Sequence, residues 1–301
     1  MERINFKHSI IFFNLCILIS PLYLMINFEP VILSLFLILI LGISHGALDN
    51  TKGKKLLKLF GYKSISSFYL AYILISFLII IFWLLFPNIV LFLFLIVAAY
   101  HFGKEDTVFP FKQKSLIAEF LFFLKGSSVI IAPLLLQPEA TNEIFKILNF
   151  NVFESKIFSN QVLILLLCLS LISSLYISQK KDVDTKGIMI MDFLSLILLN
   201  LFLTPILAFT IYFCFLHSIR HSISLIFELD NSFKTGINKF IKKAIPLTFV
   251  TGLIFLLAIY FLNNFYKLDE AIYKVIFIGL ASLTFPHILL EYLIEKNEKR
   301  T

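Results

Sequence analysis

The sequence predicts an all-α fold: a polytopic transmembrane helix bundle of about ten spans with both termini cytoplasmic. Three observations lead there. Of 301 residues, 59% are hydrophobic and only 15% charged, against roughly 45–50% and 25% in soluble domains. The mean hydropathy is +0.93. Apolar runs near the ~20 residues that a bilayer-spanning helix needs recur along the whole chain. Finally, the lysines gather in alternate connections. This composition excludes an ordinary soluble enzyme, a disordered tail and a nucleic-acid module. The net charge of +7 belongs to loops rather than to a basic recognition face, so no nucleic-acid partner is expected.

Taken in order, the expected spans cover 10–26, 30–48, 68–86, 89–102, 116–136, 160–178, 188–203, 206–227, 244–262 and 271–293. The fourth and seventh are short enough to be tilted, broken or re-entrant. Pro30, Pro87 and Pro205 stand at the tight turns, where a missing N–H costs least. The first run follows Arg3 and Lys7 as a signal peptide would, but it is long and no small-residue cleavage site follows, so an uncleaved span is expected. No repeat of fixed period and no low-complexity linker divides the chain. The simplest reading is one integral-membrane domain over 1–301.

Orientation follows from Lys and Arg in short loops. Lys52, Lys54, Lys55, Lys58 and Lys63 lie in the 49–67 loop, and Lys104, Lys112 and Lys114 in 103–115. Lys180, Lys181 and Lys186 lie in 179–187, and Lys234, Lys239, Lys242 and Lys243 in 228–243. The opposite loops hold Lys146, Lys156 and Lys267. Ten spans starting from a cytoplasmic N-terminus put every lysine-rich loop inside.

Six histidines occur. His8 falls in the N-terminal flank and reads as a solvated residue. His45, His101, His217, His221 and His287 all fall at or inside spans, where ionisable groups are costly and mark function. In the topology above, all five sit toward the cytoplasmic ends of their spans, which suggests one site. His217 and His221 are spaced i, i+4, so both rings share a helix face. With His45 and His101 they offer four nitrogens to a metal, and imidazole suits Fe, Zn, Cu and Ni alike. Asp49 follows His45 by one turn, Glu105 follows His101, and Glu291 follows His287; Asp106 is a second candidate beside His101. Metal-bound imidazoles usually give their other N–H to such a group.

Pro286 should bend the last span next to His287. Arg220, between the two span-eight histidines, needs a carboxylate partner or a path to the interface. Lys125 lies mid-span and is expected to snorkel or to face a wet cavity. Cys16, Cys168 and Cys214 form no C-x-x-C pair and read as small core residues rather than as a disulfide or thiolate site.

Four segments carry a resemblance: Gly42-Ile43-Ser44-His45-Gly46-Ala47-Leu48-Asp49, Tyr100-His101-Phe102-Gly103-Lys104-Glu105-Asp106, Leu216-His217-Ser218-Ile219-Arg220-His221, and Phe285-Pro286-His287-Ile288-Leu289-Leu290-Glu291. In order and spacing they resemble the Brp/Blh family, the bacterial membrane β-carotene 15,15′-dioxygenases, over about residues 30–295. The resemblance implies Fe(II) held by His45, His101, His217 and His221 as metal and catalytic residues. It implies β-carotene and O2 as substrates and two molecules of all-trans-retinal as product. It leaves His287, Asp49 and Asp106 outside the ligand set, supporting the ligands or the substrate slot. Tyr100, Tyr212 and Phe213 flank the motifs as slot candidates. It also implies a multi-pass place in the cell (inner) membrane, contact with the lipid bilayer and a functional link to a retinal-binding rhodopsin. A membrane di-iron enzyme would want more histidines, and a zinc protease H-E-x-x-H, which is absent. A metal-ion transporter and a non-catalytic carotenoid- or retinal-binding assembly factor remain as alternatives.

Overall fold

The computed structural model describes residues 2–23, 25, 30–46, 48–61, 64–109, 115–150, 159–179 and 181–298, with the side chains of residues 2, 3, 45 and 298 outside that description. Among the described residues every regular element is helical. In order they are α1 (Glu2–Tyr23), α2 (Pro30–Leu37), α3 (Asp49–Leu59), α4 (Ser66–Leu85), α5 (Pro87–Glu105), α6 (Leu116–Leu136), α7 (Pro138–Ile147), α8 (Asn160–Ser178), α9 (Val183–Phe202), α10 (Pro205–Ile211), α11 (Ile219–Leu229), α12 (Phe233–Leu262) and α13 (Leu268–Glu298). A π turn (Ile38–Gly42) and a 3-10 turn (Ile43–Gly46) follow α2, and a second π segment (Tyr212–Ser218) joins α10 to α11.

Nine helices among the described residues are long and apolar enough to cross a membrane. The short candidates are full spans: the fourth occupies Pro87–Glu105 and the seventh Val183–Phe202. The expected 30–48 span is the exception. Its apolar helix, Pro30–Gly42, is shorter than the others, because the helix changes pitch at Ile38 and tightens into the 3-10 turn at Ile43.

The boundaries have local causes. Pro138 and Pro205 open their helices at the first turn, where a backbone N–H has no partner to lose. The Asp182 side chain caps α9 by accepting from the Thr185 amide at 3.2 Å, and Ser115 caps α6 through the Ala118 amide at 3.3 Å. At the far end of α9 the Gln137 amide donates to the carbonyls of Asn200 and Leu203, which the helix leaves without partners.

The chain forms two compact units: Met1–Gly42 with Leu95–Ser224, and Ile43–Phe94 with Leu225–Thr301. In the first, α1 packs on α9 and the second π segment, α2 on α10, and α6 on α8 and α9. Lipid is as apolar as leucine, so small residues that let backbones approach set such contacts. Gly103 of α5 and Gly126 of α6 illustrate this: a Cβ on either would overlap the other helix's backbone, at Phe122 O and Ala99 O respectively. Ser170, Ser173 and Ser174 of α8 are buried, and Ser170 Oγ donates to Lys125 O at 2.8 Å. In the second unit, α13 packs on α3, α4 and α12, and Leu48, Leu225, Ile226, Phe240 and Ala244 form a core. Leu70 (71% exposed) and Phe249 (70%) face outward from α4 and α12, as lipid-facing side chains do.

Candidate metal centre

The centre of the first unit is the second π segment. Seven residues long, it carries His217 near its end, and α11 then carries His221. This wider turn is rare in helices and is frequently found at functional sites. Gly42, ending the first π turn, lies against it: a Cβ there would meet Phe213 at 2.7 Å.

α5 ends with two carboxylates, Glu105 and Asp106. His217 Nδ1 donates to Asp106 Oδ1 at 2.9 Å, and His221 Nδ1 donates to Glu105 Oε2 at 3.1 Å. The Tyr212 hydroxyl donates to Asp106 Oδ2 at 2.5 Å. Giving Nδ1–H to a carboxylate puts the lone pair on Nε2. The Nε2 atoms of His217 and His221 are buried and make no hydrogen bond to a described residue. The His101 and His217 rings lie 5.3 Å apart between centroids. The unit thus sets His101 beside His217 and carries His221 four residues further along the same chain segment.

Sequence spacing pairs Asp106 and Glu105 with His101. The structure instead gives them to His217 and His221, because an acid at a helix end reaches a neighbouring helix more readily than the turn behind it. Burial alone would raise the Asp106 carboxyl. The His217 imidazole and its hydrogen bond, with Arg220 and Lys125 nearby, outweigh burial and hold it below the ordinary carboxylate range.

Rings wall the imidazoles. Phe102 meets His217 edge-on at 4.8 Å, and Phe213 stacks on His217 at 5.8 Å and on Phe209 at 5.5 Å. Phe213 and Tyr212 therefore lie beside His217. Tyr100 does not: its hydroxyl donates to Glu119, and its ring packs on the cluster around Phe109 and Phe122.

Two buried cations have partners. Arg220 donates Nη1 to Asp192 Oδ2 at 2.7 Å and Nη2 to Asp192 Oδ1 at 3.1 Å. Lys125 is buried rather than snorkelling to an interface. Its Nζ donates to Gly103 O at 3.2 Å and Thr107 Oγ1 at 3.0 Å, holding the C-terminal turn of α5.

The second unit holds another imidazole–carboxylate pair. His287 Nδ1 donates to Asp49, 2.8 Å from Oδ1, and Nε2 is buried without a hydrogen bond to a described residue. The Tyr72 hydroxyl donates to Asp49 Oδ2 at 2.9 Å and lies 3.2 Å from Leu283 O, three residues before Pro286. Asp49 is therefore not one helical turn beyond His45: the 3-10 turn ends at Gly46 and Asp49 opens α3. The His45 side chain lies outside the described residues. Burial would raise Asp49, but the His287 charge and hydrogen bond, with Tyr72 and Lys52, lower it. Glu291 pairs with Lys52 and also lies within 4.8 Å of a ring nitrogen of His287. Burial would lower Lys52, while Glu291, Glu228 and Asp49 raise it above its usual value.

Two more expectations change. His8 is not a solvated flank residue. It lies within α1, half-buried, and its Nε2–H donates to Phe215 O at 2.8 Å. Cys16 and Cys214 are buried, but Cys168 is exposed, since α8 turns it outward. Sequence reading missed Ser9, Tyr72, Thr107 and Asp192. Only Asp192 left a signal: it is a carboxylate inside one span when Arg220 inside another needs one.

A family model described as Beta-carotene 15,15′-dioxygenase matches residues 36–295. A protein of that name from Uncultured marine bacterium 66A03 is 29% identical over 278 residues, covering 89% of this chain and 95% of its own length. No solved structure matches the chain.

Proposed function

The chain belongs to the beta-carotene 15,15′-dioxygenase family, and from that premise we propose that it cleaves β-carotene with O2 into two molecules of all-trans-retinal. Fe(II) would be held by His101, His217 and His221 together with His45, the fourth donor by its sequence motif. The observation that carries this reading is the pair of bonds from His217 to Asp106 and from His221 to Glu105. Carboxylate–imidazole pairing fixes tautomer and ring orientation and raises ligand basicity, as around bound metals. Neutral nitrogen donors suit iron, so the residues fit the group.

When bound, iron would supply the chemistry that lets O2 react with a carbon–carbon double bond. The protein's own part is to orient and to exclude. Asp106 and Tyr212 hold His217 on one side, and Phe102 and Phe213 pack on its ring. Such aromatic walls bury a polyene and keep water from the reacting bond. His287, held by Asp49, is read as a support of the slot rather than as a ligand. The multi-pass chain would lie in the cell membrane, where its apolar substrate dissolves, and its product would serve a retinal-binding rhodopsin.

The test is expression in cells that make β-carotene, with retinal extracted and quantified. The wild type should form retinal, and His101→Ala, His217→Ala and His221→Ala should nearly abolish it. Carotenoid retained by the purified protein without retinal would favour the non-cleaving alternative. Full activity of iron-free protein would overturn the mechanism.

A further inference from the structure

We propose that α1 is a clamp on the imidazole-bearing segment, with His8 and Ser9 as its positioning residues. This rests on the reading of His217 and His221 as metal ligands. His8 and Ser9 both precede residues 36–295, the stretch matched to the family, so nothing in the family description assigns them a role.

A π turn is wider than an α turn, bonding i→i+5, and usually occurs only as a short bulge inside an α-helix. A buried carbonyl needs a donor, all the more where lipid replaces water. The carbonyl of Phe215, two residues before His217, accepts from another helix: His8 Nε2–H, at 2.8 Å. A carbonyl only accepts, so this bond also fixes the His8 tautomer.

The next residue, Ser9, holds the other side of His217. It is fully buried. Its Oγ donates to Asp192 Oδ1 at 2.9 Å and accepts from Arg220 Nη2 at 2.8 Å. Arg220 lies three residues after His217 and one before His221, and its guanidinium is already forked onto Asp192. Two consecutive residues of α1 therefore fasten the chain on both sides of His217. Asp106 orients the His217 ring from within, and the α1 bonds fix the backbone that carries the ring. Without them the π segment could relax to α-helical pitch, which would rotate His217 relative to His221. The bare alternative is that α1 only packs: it does contact α9 and the π segment. Packing alone does not require a donor at His8 Nε2, and that difference is testable.

The variants are His8→Leu, which removes the donor, His8→Gln, which returns an amide N–H near the Nε2 position, and Ser9→Ala. Metal-free protein in lipid nanodiscs is first followed by amide hydrogen exchange. His8→Leu and Ser9→Ala should speed exchange across 212–221 while leaving α12 and α13 unchanged, and His8→Gln should restore protection. Co(II) then serves as a spectroscopic probe. Its release should be roughly tenfold faster from His8→Leu, comparable to loss of a ligand-orienting contact, with shifted visible bands, and near wild type from His8→Gln. Unchanged exchange and Co(II) release in His8→Leu overturns the clamp. So does equal loss in His8→Leu and His8→Gln, or faster exchange over all helices. The metal reading fails separately: wild type that takes up no Co(II), or binds it equally after His217→Ala, defeats that reading, while the exchange data still decide the clamp.

Discussion

Asp106 holds His217: the imidazole Nδ1–H donates to Oδ1 at 2.9 Å while the other carboxylate oxygen takes the Tyr212 hydroxyl. Asp106→Asn keeps the shape but gives up the charge that makes the imidazole a better donor. Iron retention should fall about 10–100-fold, as for other residues that orient metal-bound histidine. Iron per protein after dialysis against a weak chelator, measured beside retinal formation, checks this. Unchanged iron content would separate Asp106 from the metal.

Asp49→Asn should behave differently, because Asp49 serves His287 and Tyr72. Retinal formation should fall while iron stays bound. Loss of iron in Asp49→Asn and His287→Ala alike would make His287 a ligand and the four-histidine assignment incomplete.

The buried Arg220–Asp192 pair sets a stability prediction. Asp192→Asn leaves a buried guanidinium without its counter-charge, which costs about 3–5 kcal/mol. The double variant Arg220→Met with Asp192→Leu should lose less than Asp192→Asn alone. Thermal unfolding in detergent compares them, and equal losses would show that the pair is not energetically coupled.

Gly103 and Gly126 predict a steric effect. Gly126→Ala pushes a methyl into the Ala99 carbonyl, and backbone cannot step aside as a flexible side chain does. Destabilisation of about 1–3 kcal/mol is expected for such overpacking, with displacement of the Lys125–Gly103 bond. Gly252→Ala is the control, since nothing lies near its Cβ position. Similar melting of the two variants would refute the close approach.

Topology has its own test. Three spans, α8, α9 and Pro205–Leu229, separate residue 150 from residue 235, so reporter fusions there should report opposite sides. We expect 235 and the C-terminus to be cytoplasmic. Whether the N-terminus shares that side depends on Pro30–Gly42, which is shorter than the ~20 residues of an ordinary span. An N-terminal fusion reporting the outside would mean that this helix does not cross.

The sequence by itself determined the helical membrane class and most of the spans, and it singled out the in-span histidines as candidates. Hydrophobic runs and the rarity of in-span histidines are local signals that need no partner to be read. Even the need of Arg220 for a carboxylate was legible. What only the tertiary structure decided is who pairs with whom. Acids one turn beyond His45 and His101 look like partners of those rings, yet Asp49 holds His287, Asp106 holds His217 and Glu105 holds His221. A carboxylate at a helix end points away from its own axis, so its partner is chosen by the helix packed alongside. Nor does the sequence show where helix pitch changes, since a π turn has no composition of its own. His8 looked solvated for the same reason: its hydrogen-bond partner is a carbonyl 207 residues away, brought to it only by packing.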